Sequence, residues 1–198
     1  MRKDAQRNRE RLVEAAREVF AQRGLDAPLE EISRRAGVSI GTLYNRFPAR
    51  ADLVEAAFAD RVDAVRAISE AALAMDDPWE GFVAFVERVS VLQAADRGFN
   101  ELAVRRRPED YERGYRLMSG IVERAKESGA LRDDFVLADM AFVMWSIART
   151  IEMTGEISQD AWRRHLALTL DGLRAQAARP LPVPPLTDDE VTRAVGAC

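Results

Sequence analysis

Residues 37–47 read GVSIGTLYNRF, and the order of turn and helix signals in them predicts a helix-turn-helix. Gly37 ends one helical pattern, and Ser39 offers a side-chain oxygen that can cap the N–H groups of the next helix. Pro48 then stops this second helix after about two turns. In a helix-turn-helix the second helix enters a DNA major groove. On the turn signals alone, an ordinary capped turn between two surface helices explains these residues equally well.

The surface of the second helix favours a role in DNA binding. Leu43 and Phe47 are four residues apart, so both side chains can face inward. The residues left facing outward are of the types that bind phosphates and base edges. These residues are Ser39, Thr42, Tyr44, Asn45 and Arg46.

The segments on either side predict the other helices of a small N-terminal domain. Apolar residues at helical spacing run from Leu12 to Phe20, and Gly24 ends that helix. Pro28 begins a second helix that Gly37 closes. The basic residues at positions 2–11 suit an arm along the DNA, or equally a frayed terminus.

A long connecting helix is predicted after Pro48, from about Arg50 to Leu73. Its length of about 36 Å is enough to join two domains. Arg50, near its N-terminus, is placed to meet a phosphate beside the recognition helix.

The remaining residues predict an all-α body, because nothing in them reads as a sheet. A helix follows Trp79, a short helix or link covers 96–108, and a third helix ends at Gly129. Asp133 or Asp134 is expected to cap a strongly apolar helix, and Ser158 to open the last long one. The predicted divisions are a DNA-binding domain (1–48), a connecting helix (49–75), a ligand-binding and dimerisation domain (76–178) and a Pro-rich tail (179–198).

Two features outside the helices stay open. The three consecutive arginines at positions 105–107 suit a solvated loop. The more specific alternative is that they attract anions to the edge of a binding site. In the tail, Thr187 and Glu190 have the spacing of a capping box for a last short helix.

Composition limits the other functions. Of the 198 residues, positions 1–50 carry 11 Lys/Arg and 7 Asp/Glu, a net charge of +4. The remaining positions carry 18 Lys/Arg and 26 Asp/Glu, a net charge of −8. A basic head on an acidic body suits a protein that touches phosphates only through its head. The only histidine is His165 and the only cysteine is Cys198, so we predict no metal site, no cofactor and no disulfide. No apolar run reaches about 18 residues, and the N-terminus is too polar for a signal peptide, which together favour the cytoplasm.

The N-terminal quarter also resembles a known family. EEISRRAGVSIGTLYNRFPARADLVEA, residues 30–56, is similar to the DNA-binding domain of the TetR family of bacterial transcriptional regulators. The resemblance is close over about residues 6–58, and beyond them it rests on chain length and an all-helical body. It implies that Thr42 and Tyr44 contact the DNA backbone, with Ser39, Asn45 and Arg46 near phosphates or base edges.

The sequence departs from the family's pattern at three sites around these helices. Arg50 stands where the family usually has Lys, and Ala49 stands where Ser or Thr commonly caps the fourth helix. Ala27 and Pro28 replace a Thr or Ser that often precedes the second helix, which puts a phosphate contact there in doubt.

For the body, the resemblance implies a ligand-binding bundle that dimerises through the last two long helices. The expected partners are a palindromic double-stranded operator, a small-molecule effector and a second copy of the chain. The candidate ligand-binding residues are Phe82, Phe85, Phe99, Met118, Met144, Trp145 and Arg149. Simple core packing explains each of them as well. Arg149 lies in an apolar stretch, where a buried guanidinium needs a partner, either Glu152 or an anionic effector.

Two other functions compete with a ligand-responsive repressor. An all-helical enzyme is disfavoured by the single histidine and by the lack of a metal cluster, a phosphate-binding loop pattern or a nucleophile motif. A DNA-binding architectural protein or activator that needs no effector is compatible with every motif above.

Overall fold

The computed structural model describes residues 2–105 and 112–196, and most of these residues lie in α-helices. Within these ranges there is no β-strand, only one isolated antiparallel bridge between Leu131 and Arg174. The all-α prediction is therefore confirmed. The helices in chain order are α1 (Arg2–Arg23), α2 (Leu29–Arg35), α3 (Ile40–Arg46), α4 (Arg50–Leu73), α5 (Pro78–Ala95), α6 (Arg97–Arg105), α7 (Glu112–Glu127), α8 (Asp139–Thr154), α9 (Ala161–Leu173) and α10 (Asp188–Gly196).

The chain divides into two compact units whose boundaries are not the ones predicted. The N-terminal unit contains the chain through Asp63 together with Asp96–Leu102, and the C-terminal unit contains Ala64–Ala95 and the residues after Leu102. The residues of α4 are therefore shared between the two units. The predicted domain of residues 76–178 is interrupted, because the start of α6 packs into the N-terminal unit.

The core of the N-terminal unit is built on three aromatic rings. Phe20 stacks on Phe58 with a centroid distance of 6.2 Å, and Phe58 contacts Phe99 at 6.1 Å. Gly98 lets α6 approach closely, because a Cβ there would lie only 2.8 Å from the Phe20 carbonyl oxygen. Phe99, predicted to bind ligand in the body, is instead buried in this N-terminal core.

The core of the C-terminal unit lies between α5, α7, α8 and α9. Trp79 stacks on Phe82, and Phe82 meets Phe135 edge to face at 6.1 Å. The cluster also contains Val86, Ile121 and many other apolar residues of these helices. The apolar side chains of these four helices therefore form one continuous cluster.

The start of α8 differs from the prediction. The helix begins at Asp139 rather than after Asp133 or Asp134. Asp134 is held by Arg132, with one pair of atoms 2.5 Å apart, and the Val136 N–H donates to the Asp139 carboxylate. These side-chain bonds hold residues 132–138 in a loop that buries Phe135.

The described part of the C-terminal tail contains a short helix, α10. The predicted capping box is present, since the Thr187 N–H donates to Glu190 Oε2 at 2.8 Å and the Glu190 N–H donates back to Thr187 Oγ1 at 3.3 Å. Within α10, Val191 is buried. The Tyr115 hydroxyl of α7 donates to Asp188 at 2.8 Å, so the tail helix docks on the C-terminal unit.

Three residues named from the sequence fall outside this description. Arg106, Arg107 and Cys198 lie beyond the described ranges, and Arg105 is the last residue of α6. Across the described residues, no helix combines the length and the apolar character needed to cross a bilayer.

Candidate nucleic-acid interface

The turn between α2 and α3 is closed by backbone hydrogen bonds around Gly37. The Val38 N–H donates to the Ser33 carbonyl at 3.0 Å, and the Gly37 N–H donates to the Arg34 carbonyl at 3.1 Å. This pattern is a Schellman motif, which requires a left-handed residue at its centre. Gly37 supplies it with a φ of +65°. The turn therefore follows directly from the local sequence.

The start of α3 is fixed by Ser39, as the sequence predicted. Ser39 accepts a hydrogen bond from the Thr42 N–H at 3.1 Å, and the two hydroxyl oxygens lie 2.9 Å apart. This pairing orients both hydroxyl groups at the exposed N-terminal end of the helix.

The two sides of α3 have the predicted character. Leu43 and Phe47 are buried, which anchors the helix to the core of the N-terminal unit. Tyr44 is 49% exposed, and Asn45 and Arg46 are also exposed. The exposed tyrosine offers both a ring and a hydroxyl group on a polar helix face, so it can make apolar contacts and hydrogen bonds with a partner.

Arg50 differs from the other candidates because its guanidinium already has protein partners. Its Nη1 donates to the carbonyl oxygens of Leu25 and Ala27, each at 2.8 Å. Arg50 is half-buried and joins the start of α4 to the turn between α1 and α2. Its other N–H groups remain the part of the side chain that could meet a phosphate.

The N-terminal basic residues form a helix and not an arm, because α1 already begins at Arg2. The Arg9 guanidinium lies over the Phe47 ring, 5.3 Å from its centroid, where both line a surface cleft with Arg46. Arg11 lies over the turn, since a Cβ on Gly37 would meet its Nη2 at 2.5 Å. Arg9 and Arg11 were not named individually among the predicted site residues, because the sequence indicated only that the basic segment 2–11 suits an arm along the DNA or a frayed terminus.

The cap of α4 is stronger than the sequence suggested. Ala49 has no capping side chain, but its N–H donates to Asp52 Oδ2 at 2.9 Å. Asp52 also adds negative charge in the first turn, where the helix dipole favours it. The N-terminus of α4, directly after α3, is therefore stabilised by both a hydrogen bond and a favourable charge.

The structure brings four of the seven predicted ligand-binding residues together in one core cluster and places the other three elsewhere. Phe82 and Phe85 are buried in the C-terminal core cluster, and Met118 and Met144 pack against it half-buried. Trp145 packs edge to face on the exposed Phe142 at 5.6 Å and lies on the surface side of α8. Phe99 is in the other unit, as described above.

The expectation of a buried Arg149 guanidinium is wrong. The Arg149 side chain is 64% exposed and pairs with Glu152 at 2.6 Å across one turn of α8. The apolar stretch around it lies on the opposite side of the helix, because Ile147 and Ala148 face the core. The arginine therefore needs no anionic ligand to compensate burial.

Two family models match the chain. The description "Bacterial regulatory proteins, tetR family" covers residues 12–57, and "Transcriptional regulator SbtR-like, C-terminal domain" covers residues 77–175. The first match contains α2, the turn and α3. The second spans half of the chain, in the part where the sequence resemblance was only architectural.

Solved and curated proteins agree with these models. The structure of the TetR transcriptional regulator SCO0520 from Streptomyces coelicolor is 32% identical, covers 85% of this chain and 99% of that one, and has a TM-score of 0.53. The regulators SrpR and TtgW of Pseudomonas putida are each 33% identical over 81 residues, 40% of this chain but only 38% and 60% of theirs. FadR of Bacillus subtilis, solved with stearoyl-CoA, is 19% identical over 83% of this chain and 98% of that one, with a TM-score of 0.63, and shows the shared fold alone.

Proposed function

The chain belongs to the TetR family of bacterial regulatory proteins, and we propose that it is a repressor. In this proposal a dimer binds a palindromic operator and is released when a small molecule binds the C-terminal unit. The observation that carries the DNA-binding part is the outward face of α3. There Tyr44, Asn45 and Arg46 are exposed on a helix whose opposite side is buried by Leu43 and Phe47.

The individual roles at the interface follow from side-chain chemistry. Ser39 and Thr42 present hydroxyl groups at the helix N-terminus, where N–H groups and the helix dipole favour a phosphate. Tyr44 and Asn45 are placed to reach base edges or the backbone, and Arg46 to pair with a phosphate or a guanine. Arg50 positions the turn between α1 and α2 and offers its remaining donors to the backbone.

Dimerisation through α8 and α9 is supported by apolar side chains that these helices leave exposed. Phe142 is 45% exposed on α8 and Leu168 is 62% exposed on α9. Met153 lies three turns after Phe142 on the same side of α8, and it is also exposed. A second copy of the chain is the occupant we propose, because a single recognition helix reads too few bases and two-fold symmetry supplies the second half-site.

Binding of an effector is supported by the character of the C-terminal unit. Its core contains large aromatic and methionine side chains between four helices, the setting in which bundles hold ligands. FadR of Bacillus subtilis, a protein with the same fold, was solved with stearoyl-CoA. Since α4 is shared by the two units, we propose that effector binding alters α4 and thereby weakens operator binding.

The test is a salt titration of binding to DNA upstream of the protein's own gene, beside a scrambled duplex of equal length. We expect sequence-dependent binding that is lost in Tyr44→Ala. Arg46→Ala should also weaken binding and reduce the salt slope by roughly one charge per phosphate contact removed. Arg88→Ala, which removes an exposed arginine from α5, is the matched control and should change neither quantity.

Equal affinity for both duplexes would count against a specific regulator acting at this promoter. Selection of binding sites from a random duplex library then provides the second measurement. Failure to enrich any palindromic sequence with the wild-type protein contradicts the proposal, because a dimer with two fixed recognition helices must select a spaced pair of half-sites.

A further inference from the structure

The inner face of α5 ends in a polar side chain. Phe82, Val86 and Val89 follow each other at helical spacing and are all buried in the core of the C-terminal unit. Gln93 is the next position on this face, seven residues after Val86, and is 1% exposed. The regular pattern would place an apolar residue at this position. A glutamine here therefore brings an amide into the same buried face.

The amide oxygen of Gln93 is unpaired within the described part of the chain. Its Oε1 is buried and has no hydrogen-bond partner among those residues. Ser90, one turn earlier, is also fully buried, but its hydroxyl donates to the Val86 carbonyl at 2.7 Å. A buried acceptor without a donor costs free energy, so such groups are retained mainly where they have a use.

The chemistry of the unpaired atom indicates the chemistry of a matching ligand. An amide oxygen accepts hydrogen bonds and cannot donate them, so it is matched by a ligand group that carries an N–H or O–H. An anionic acceptor group would gain no hydrogen bond from this oxygen and would lose its hydration in a buried place. Arg132, the buried arginine of the C-terminal unit, is already held by Asp134 through two hydrogen bonds, and Arg149 is exposed and paired with Glu152. A neutral donor such as a hydroxyl or amide N–H matches a neutral amide oxygen.

We propose that Gln93 is the polar recognition residue of the effector site, and that its Oε1 accepts a hydrogen bond from an uncharged effector with a largely apolar body. This inference rests on the proposed function, because it takes the C-terminal unit as the effector-binding part. It replaces the anionic effector suggested by Arg149 with a neutral one.

The first arm of the test needs no ligand. Thermal unfolding of the full chain is compared for wild type, Gln93→Met and Gln93→Leu, with Gln159→Met as a control at an exposed glutamine. We expect both Gln93 variants to unfold at the wild-type temperature or above, because an apolar side chain leaves no acceptor unpaired. A clear drop in both variants, with Gln159→Met unchanged, overturns the proposal by showing that the amide supports the fold.

The second arm uses pairs of probes that differ only in a donor. Hexanol, decanol and naphthol are each compared with their methyl ethers by titration calorimetry and by the shift in unfolding temperature. We expect wild type to prefer at least one alcohol to its ether by about tenfold, the size of one hydrogen bond gained in a dry site. Gln93→Met should lose that preference and bind alcohol and ether alike, while Gln159→Met keeps it.

An alcohol preference that survives in both Gln93→Met and Gln93→Leu overturns the proposal, and so does the absence of binding by every alcohol. The operator titration separates these results from the proposed function. Specific operator binding without Gln93-dependent recognition leaves the regulator intact and rejects this inference. Gln93-dependent binding without any change in operator affinity supports the recognition site and rejects the release mechanism.

Discussion

The backbone N–H of Leu25 donates a hydrogen bond to Glu101 Oε2 over 2.8 Å, although 76 residues separate the two in the chain. On the other side of the same turn, Arg50 Nη1 donates to the Leu25 and Ala27 carbonyl oxygens. The turn between α1 and α2 is thus held by one side chain from α4 and one from α6. The Leu25 N–H and the Leu25 and Ala27 carbonyl oxygens of this turn are therefore satisfied by residues outside it.

Replacement of Glu101 should therefore destabilise the N-terminal unit. Glu101→Ala leaves the Leu25 N–H without its acceptor, which should lower the free energy of unfolding by about 1–3 kcal/mol. The control is Arg97→Ala, which removes the exposed partner of the same carboxylate, 3.0 Å away, and should cost at most about 0.5 kcal/mol. Denaturant unfolding followed by circular dichroism measures both. If both variants lost the same free energy of unfolding, Glu101 would stabilise the fold through its ion pair with Arg97 and not through its hydrogen bond to the Leu25 N–H.

Gly24 should tolerate a side chain less well than Gly37. Both have positive φ, +80° and +65°, so either substitution by alanine strains the backbone by about 1–2 kcal/mol. At Gly24 the new Cβ would also clash with Glu101 Oε1, and moving that carboxylate disrupts its bond to Leu25. At Gly37 it meets only the end of the flexible Arg11 side chain. Gly24→Ala should therefore have the lower unfolding midpoint in denaturant, and the reverse order would contradict this account of the turn.

The oligomeric state should respond to a charge on α8 but not to one on α5. Phe142→Glu places a carboxylate in the proposed dimer interface and should convert the protein to a monomer. Val91→Glu changes a residue of similar exposure on α5, 40% exposed, and should leave the dimer intact. Sedimentation velocity at several concentrations distinguishes the two. A Phe142→Glu dimer as tight as wild type would place the interface elsewhere on the surface.

Acid should weaken the anchor of the loop before α8. The side-chain hydrogen bond from Arg132 holds the pKa of the Asp134 carboxyl below its usual range. Because the folded pKa lies below the unfolded value of about 3.9, this pair stabilises the fold above that pH and ceases to do so as the pH falls through the lowered pKa. Asp134→Asn should therefore unfold at a lower temperature than wild type at pH 7, with the gap narrowing below about pH 4.

The control for this pH dependence is Asp133→Asn, which removes the exposed carboxylate next to Asp134. It changes the net charge by the same amount without touching the Arg132 pair. Thermal unfolding of the three proteins between neutral and acidic pH gives the comparison. If the difference in unfolding temperature between wild type and Asp134→Asn stayed constant down to acidic pH, Asp134 would stabilise the fold through its shape and not through its charge.

The turn and the recognition helix of the N-terminal unit were predictable because their signals are local. Gly37, Ser39 and Pro48 set the turn, the cap and the end of α3 within twelve residues, and the period of Leu43 and Phe47 fixes which side is buried. Each of these features depends on backbone conformations and hydrogen bonds between near neighbours. The same holds for the capping box of α10, which needs only Thr187 and Glu190.

The sequence by itself therefore determined an all-α chain with a recognition helix and the polar face that helix presents. Only the tertiary structure decided that Phe99 joins the N-terminal core, that Arg149 faces solvent, and that Gln93 is buried with an oxygen that finds no donor among the described residues. Periodicity shows that a helix has an apolar side. It does not show which distant helix packs on that side, or how exposed the residues at the edge of that side remain. Those outcomes depend on contacts between residues far apart in the chain, and they are fixed when the helices pack.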